Sequence, residues 1–368
     1  MRVAVLWTGL SGYLNACLKE LSSRDGVELF VIHEASSEGA PFDAGQFKWI
    51  ARRFEWSSKR DLRNLEEMLR AFDPEIMVIP SWHIPAYRRM GRQFANSCWR
   101  VMTMDHPWLG SLRQRFGTLI SSVYVKPLAD VVWLPGERQA TFARKLGFSQ
   151  TAILSGLYAC DHSTFEAIHL ARLTEGRRVP RKFLFVGRLV KDKGVDMLAR
   201  AYQLYRRQTP APWPLICCGS GPMRSEIENE DGIDVEGFVQ PDKLPEVLGR
   251  AGCLILPSRV EPWGLVVHEA AASGRLIIAS ENVGSVPHLL QPGYNGFVFS
   301  SGDVAALAGL MVRVSTLSDT QMDEMSQASY SLSRQFSPRQ WANILLESYK
   351  YRSPKLQRAH CPAFKQMP

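Results

Sequence analysis

The sequence predicts an α/β protein built from two doubly wound, Rossmann-like domains that face each other across a cleft. Short apolar runs alternate with longer amphipathic ones along the chain, the pattern of parallel strands joined by covering helices. Several of the apolar runs end at Gly, Ser or Pro, as strands do where they open into loops. The length, 368 residues, exceeds what one hydrophobic core comfortably serves, so two cores are expected.

In chain order, the first half offers strands at 3–7 (VAVLW), 27–33 (VELFVIH), 75–80 (EIMVIP), 99–104 (WRVMTM), 130–135 (DVVWLP) and 151–156 (TAILSG). The second half offers 183–187 (FLFVG), 214–219 (PLICCG), 233–238 (IDVEGF), 253–258 (CLILPS), 276–280 (LIIAS) and 296–299 (GFVF). Helical stretches at 195–207 and 244–250 fill two of the gaps. The polar, basic run ARLTEGRRVPRK at 171–182 reads as a linker, which makes domains of 1–175 and 176–337. A last helix begins after Ser337-Pro338 and is expected to pack back on the N-terminal domain, leaving a basic tail to residue 368.

Composition excludes several classes. Hydrophobic content of 45% with 22% charged residues is ordinary for a packed globular protein. No run approaches the roughly 18 apolar residues of a membrane-spanning helix, and MRVAVLW passes directly into Thr8-Gly9, which reads as a strand and not a leader. The cytoplasm is the expected location. Seven cysteines (17, 98, 160, 217, 218, 253, 361) without a C-x-x-C pair point to reduced thiols, with no zinc site and no disulfide framework.

A net charge of +8 favours an anionic partner. Basic residues cluster with aromatic ones in the first half. Lys48, Arg52, Arg53, Lys59, Arg60 and Arg63 interleave with Phe47, Trp49, Phe54 and Trp56. Arg88, Arg89, Arg92, Arg100, Arg113 and Arg115 interleave with Tyr87, Phe94, Trp99 and Trp108. Two readings stay open, a solvated basic surface and an interfacial patch on anionic lipid at the inner face of a membrane. No recognition motif for nucleic acid accompanies the charge.

Ligands of open α/β sheets bind beyond the carboxyl ends of the strands. Beyond CLILPS lies EPWGLVVHEAAASG, with Glu261 ahead of a helix that starts near Gly264 and Glu269 in its second turn among Val266, Val267, Ala270 and Ala271. A carboxylate in such company costs several kcal/mol unless something pairs with it. The opening N–H groups of Gly264, Leu265 and Val266 make an anion site. After FLFVG, Arg188 and Lys193 stand five apart across a loop and suit a diphosphate. Asp105 and His106 follow WRVMTM, Gly9 and Gly12 sit in a turn (GLSG) after the first strand, and His268 reads as a structural histidine.

FVGRLVKDKGVD, CGSGP (218–222), GFV (237–239), ILPSRVEPWGLVVHEAAASG and Asn295-Gly296 together resemble the C-terminal domain of retaining GT-B glycosyltransferases of family 4, the glycosyl transferases group 1. Glu261 and Glu269 match that family's E-x7-E signature, and the likeness covers about residues 180–345. It implies that Arg188 and Lys193 hold a donor diphosphate and that Glu269 accepts from ribose hydroxyls. Glu261 and the N–H groups of Gly264, Leu265 and Val266 would meet the transferred sugar and phosphate, and Gly237, Phe238 and Val239 would lie by the base. In the N-terminal half, which would be the acceptor side, it implies that Gly9 and Gly12 close on the phosphates and that His106, with Asp105 beside it, faces the donor sugar. The chain departs from the family's G-G-x-P-E pattern at Gly284-Ser285-Val286-Pro287-His288, where His288 replaces the acid.

The resemblance implies a hexosyltransferase that moves sugar from a UDP- or GDP-sugar to a hydroxyl of a glycan or lipid-linked glycan, as in bacterial surface polysaccharide synthesis, without metal or other cofactor. A non-catalytic nucleotide-sugar-binding protein and a sugar-nucleotide epimerase on the same fold are the alternatives. A dinucleotide-dependent dehydrogenase lacks its G-x-G-x-x-G fingerprint here.

Overall fold

The computed structural model describes residues 1–35, 44–58 and 60–351. Lys59, Cys361 and the expected basic tail lie outside them. Two compact units result, one formed by Met1–Tyr158 with the terminal helix from Pro338, the other by Ala159–Ser337.

In the first unit the strands are β1 (Arg2–Trp7), β2 (Glu28–Glu34), β3 (Arg53–Trp56), β4 (Ile76–Pro80), β5 (Trp99–Thr103), β6 (Val131–Leu134) and β7 (Ile153–Ser155), in spatial order β3-β2-β1-β4-β5-β6-β7. In the second they are β8 (Phe183–Val186), β9 (Leu215–Cys218), β10 (Ile233–Gly237), β11 (Cys253–Leu256), β12 (Leu276–Ser280) and β13 (Gly296–Phe299), in order β10-β9-β8-β11-β12-β13. All the pairings within both sheets are parallel. The central strands are buried along their length, as continuous apolar runs covered on both faces require. Strand order reverses at β1/β4 in one sheet and at β8/β11 in the other, the positions at which open α/β sheets bind ligands.

Two expectations need correction. The units part at Tyr158/Ala159, not at 175/176. Residues 171–174 belong to a helix, His162–Thr174, in which Arg172 is buried and bonds to Asp323 at 2.6 Å and Ser326 at 3.3 Å within the second unit. A run that looks like solvated linker therefore holds a core cation. The basic aromatic clusters also divide, most of their aromatic members turning inward while Arg52, Arg60, Arg63, Arg89, Arg92, Arg113 and Arg115 stay exposed. Trp56 ends β3, a strand absent from the expected set, and its indole N–H bonds the Tyr87 hydroxyl at 2.7 Å. Phe47, Tyr87, Phe94 and Trp99 are core residues. Arg100 is buried and paired with Asp130 at 2.8 Å.

The six described cysteines are buried, and burial drives the Cys218 thiol up to about 12. No helix among the described residues is long and apolar enough to cross a membrane.

The terminal helix Pro338–Lys350 completes the first unit. Its Trp341 is buried, lies 4.7 Å from Trp133 ring to ring, and donates its indole N–H to Leu157 O at 2.8 Å. Trp341→Ala should therefore destabilise that unit by about 3–5 kcal/mol. Denaturant unfolding followed by tryptophan fluorescence measures it, and a loss under about 1 kcal/mol would mean that the helix does not serve this core.

Candidate active site

The loops that leave β8 and β11 flank the reversal point of the second sheet. After β8 the chain runs through Gly187 and the exposed Arg188 to a short 3-10 turn, Lys191–Lys193, and enters the helix Val195–Gln208. After β11 it runs through Ser258 to Glu261 and enters the helix Leu265–Ala272. The two loops are fastened to each other. Arg259 forms a fork on Asp196, with contacts of 2.6 and 2.8 Å, and its backbone N–H donates to Asp192 O at 2.7 Å. The Arg259 guanidinium holds the Asp196 carboxyl below its usual range.

Beside that fork the Lys193 ammonium bonds the Glu261 carboxylate, both side chains being largely buried. Two residues expected on one ligand thus meet each other. An ammonium has three donors, so one contact to Glu261 leaves others for an anion. Among the described residues Arg188 takes part in no ion pair.

Gly264 caps the helix with φ +85°, and a Cβ there would lie 2.9 Å from Val283 Cγ1 and 3.2 Å from Glu261 Cγ. Only glycine fits a left-handed residue in that space. The first internal bond of the helix runs from Val267 N–H to Gly264 O at 3.0 Å, so the N–H groups of Leu265 and Val266 precede the ladder. The positive end of the helix faces the loop that carries Glu261.

Within this helix consecutive residues meet opposite conditions. His268 is fully buried; its Nδ1 accepts from Cys160 N–H at 3.1 Å and its Nε2–H donates to Ser333 O at 3.0 Å. Burial lowers it to about 4, so it stays neutral and structural. Glu269 is enclosed by protein and keeps only a partial opening to the surface. Burial alone acts on its carboxyl and pushes it up to about 8.

The base-side candidates are tied to the phosphate-side ones through backbone. Gly237 O accepts from Gly219 N–H at 2.6 Å, Cys218 O accepts from Gly187 N–H at 2.9 Å, and Ser220 O accepts from Leu189 N–H at 2.8 Å. A Cβ on Gly219 would fall 1.8 Å from Gly187 O, so the C-G-S-G-P turn can lie this close only with glycine. Phe238 is exposed at 36%, and Val239 packs on the core. His288, at the departure from the family pattern, stacks near Trp263 with ring centres 5.6 Å apart.

Asp105, His106, Gly9 and Gly12 belong to the first unit. Beyond β5, Asp105 accepts from His106 Nδ1 at 2.9 Å and from the Tyr158 hydroxyl at 3.0 Å, and Gln139 Nε2 holds its backbone carbonyl at 3.0 Å. Burial pushes the Asp105 carboxyl up, but the hydrogen bond and charge of His106 outweigh this and lower it. His106 is raised, first by the hydrogen bond it donates to Asp105, and its ring is exposed. Gly9 has open space where a Cβ would stand, and Gly12 opens the helix Gly12–Ser22.

Sequence reasoning missed Arg259, Asp196, Ser258 (Oγ 3.5 Å from Glu261) and Tyr158. Arg259 carried a signal, standing in the loop after β11 two positions from Glu261. Tyr158 carried none, being 53 positions from Asp105. Among the described residues no group of three or more His, Cys, Asp or Glu is arranged to hold a metal ion.

Residues 176–331 match the family model described as Glycosyl transferases group 1. An uncharacterized glycosyltransferase of Methanocaldococcus jannaschii is 32% identical over 123 residues, which is 32% of this chain and 31% of that protein. The O-antigen chain mannosyltransferase B of Escherichia coli is 27% identical over 176 residues, 45% of each chain. The chain thus aligns with less than half the length of these curated relatives. Anabaena HepE, solved in complex with UDP and glucose, superposes with a TM-score of 0.73 at 15% identity, covering 96% of this chain and 100% of that one. With its 7- and 6-stranded parallel sheets, the chain has the GT-B fold.

Two predictions follow from this geometry. The folded pKa of Glu269, about 8, stands above its ordinary 4.5, so the folded state holds that proton more tightly than the unfolded chain does. The resulting stability is complete below about pH 4.5 and is lost as pH rises to about 8. Glu269→Gln should remove the loss. The variant should exceed the native protein by about 1–3 kcal/mol at pH 8.5 and match it near pH 5, in urea unfolding of the unliganded protein. Asp105→Asn should lower the His106 pKa toward the ordinary histidine value, as read from its imidazole NMR shifts, and an unchanged pKa would dissociate the pair.

Proposed function

We propose that the protein is a retaining, metal-independent glycosyltransferase of family 4. It moves a hexosyl group from a UDP- or GDP-sugar to a hydroxyl of a glycan or lipid-linked glycan, in the assembly of a bacterial surface polysaccharide. The observation that carries this reading is the pairing, on one eight-residue helix and its leading loop, of a partnerless desolvated carboxylate with an anion-ready N-terminus. Glu269 lacks what a ribose diol supplies, two hydroxyl donors. The helix N-terminus, Lys193 and Arg188 offer what a diphosphate needs. Two similar proteins, an O-antigen mannosyltransferase and one solved with UDP and glucose, support the same classes of acceptor and donor.

In this reading the bond from the anomeric carbon to the diphosphate oxygen breaks as the acceptor oxygen forms its bond on the same face of the sugar. The leaving phosphate takes the acceptor's proton. Charge accumulates on the diphosphate, and fixed donors aimed there lower the barrier without reorganising. Glu261, held by Lys193 and Ser258, lies where it meets sugar hydroxyls and keeps Lys193 oriented. Gly237, Phe238 and Val239 border the base, while Gly9, Gly12, Asp105 and His106 complete the reading from the first unit.

Donor hydrolysis tests it. With EDTA present and UDP- and GDP-sugars supplied, the native protein should slowly release nucleoside diphosphate. Arg188→Ala and Glu261→Gln should each reduce that release on the order of a hundredfold or more. Binding of donor without turnover, with every acceptor pool supplied, would replace this reading with that of a nucleotide-sugar-binding protein; interconversion of the sugar would replace it with an epimerase.

A further inference from the structure

In a helix on a protein surface, apolar side chains spaced three and four apart face the core. The helix Leu112–Leu119 of the first unit inverts this rule, for none of its residues is buried. Leu109, Leu112, Phe116, Leu119 and Val123 recur at intervals of three and four, and they are exposed at 71, 85, 63, 80 and 75%. Leu112, Phe116 and Leu119 form a stripe on one face of the helix, with Leu109 before it and Val123 in the short helix Ser121–Tyr124 after it, so large apolar side chains are turned to solvent along the segment.

The segment is held in place. Ser111 caps the helix through Gln114 N–H at 3.3 Å, and the Gln114 side chain bonds Leu109 N–H and Pro107 O, each at 2.8 Å. At the far end Ser121 donates to Leu146 O at 2.7 Å, Arg88 lies over the Tyr124 ring, and Arg92 reaches Val123 O at 3.3 Å. The exposure is therefore built in and does not come from a loose end.

Charge identifies the occupant. From His106 to Ala129 the chain contains no Asp or Glu, while Arg113, Arg115 and Lys126 are exposed beside the stripe, with Arg92 at its end. A second copy docked stripe to stripe would bring these cations against one another. An anionic lipid surface accepts the apolar stripe below its headgroups and the cations among them.

We infer that the segment Leu109–Val123 seats the protein on an anionic bilayer. The basic aromatic residues of the sequence pointed to a membrane, but the seating surface is this helix, whose apolar residues played no part in that reading. The segment follows directly on Asp105 and His106, so on the proposed function the same seating brings that pair to a lipid-linked hydroxyl; the seating itself needs no turnover.

The test is co-sedimentation of the full chain with vesicles of phosphatidylcholine alone and of phosphatidylcholine with phosphatidylglycerol. The native protein should bind the anionic vesicles, less so as salt rises, and hardly bind the neutral ones. The triple variant L112S/F116S/L119S should lose about tenfold or more of that binding, with its melting temperature and its hydrolysis of donor in solution unchanged. The pair R113E/R115E should lose binding as well, which covers the case of a triple variant that folds poorly. Absence of binding to anionic vesicles, or undiminished binding by both variants, would overturn the inference. So would a native dimer that the triple variant converts to a monomer, since a second copy would then cover the stripe. Vesicle binding without donor hydrolysis would leave the seating in place and remove the proposed function.

Discussion

The second unit depends on two ion pairs that tie the loop after β8 to the loop after β11. Parallel neighbours at a strand-order reversal send their connections to opposite faces of the sheet, so nothing in the ladder itself holds those two loops together. The Arg259 fork on Asp196 and the Lys193 contact to Glu261 do this. Removing one partner from a partly buried pair leaves an uncompensated charge, although the intact pair adds little net stability. Such pairs therefore fix geometry more than they raise stability. At this reversal the fixed geometry includes a cation and a helix N-terminus that can share an anion.

That arrangement also explains a local defect. A helix of Leu, Val and Ala would be more stable with a small apolar residue at 269, and the chain places a carboxylate there with burial as the only force on its proton. Violations of local rules concentrate where a ligand supplies the missing partner. On the proposed function the missing partner is a pair of ribose hydroxyls, which would donate hydrogen bonds and arrive through the opening that Glu269 keeps to the surface.

Much of this was legible from the residues, for stated reasons. Strands buried on both faces read as unbroken apolar runs, so all twelve expected strands overlap observed ones without help from a long alternating pattern, TAILSG shrinking to the three residues of β7. β3 escaped because four residues, two of them charged, cannot show a period, and its arginine and tryptophan fitted a surface reading equally well. The run 171–182 misled because Arg172 finds its partners, Asp323 and Ser326, some 150 positions away. In the site, Glu261, Glu269 and Gly264 were legible because their environment is set by neighbours in sequence. Tyr158 and Asp196 were not, because theirs is set by the fold.

The same distinction separates His268 from Glu269. Neighbours on a helix point about 100° apart, so a one-residue step carries a side chain from one packing environment to another. His268 turns toward Cys160 and Ser333, finds an acceptor and a donor among backbone groups, and is silenced as a base. Glu269 turns away from them and finds none. Sequence pattern, which reads His268 as structural and Glu269 as facing a ligand, cannot show how each is satisfied. The count of hydrogen-bond partners can, because a polar group that the fold has satisfied has nothing left to offer a ligand, whereas one left unsatisfied at a cost of several kcal/mol is held there by something other than stability.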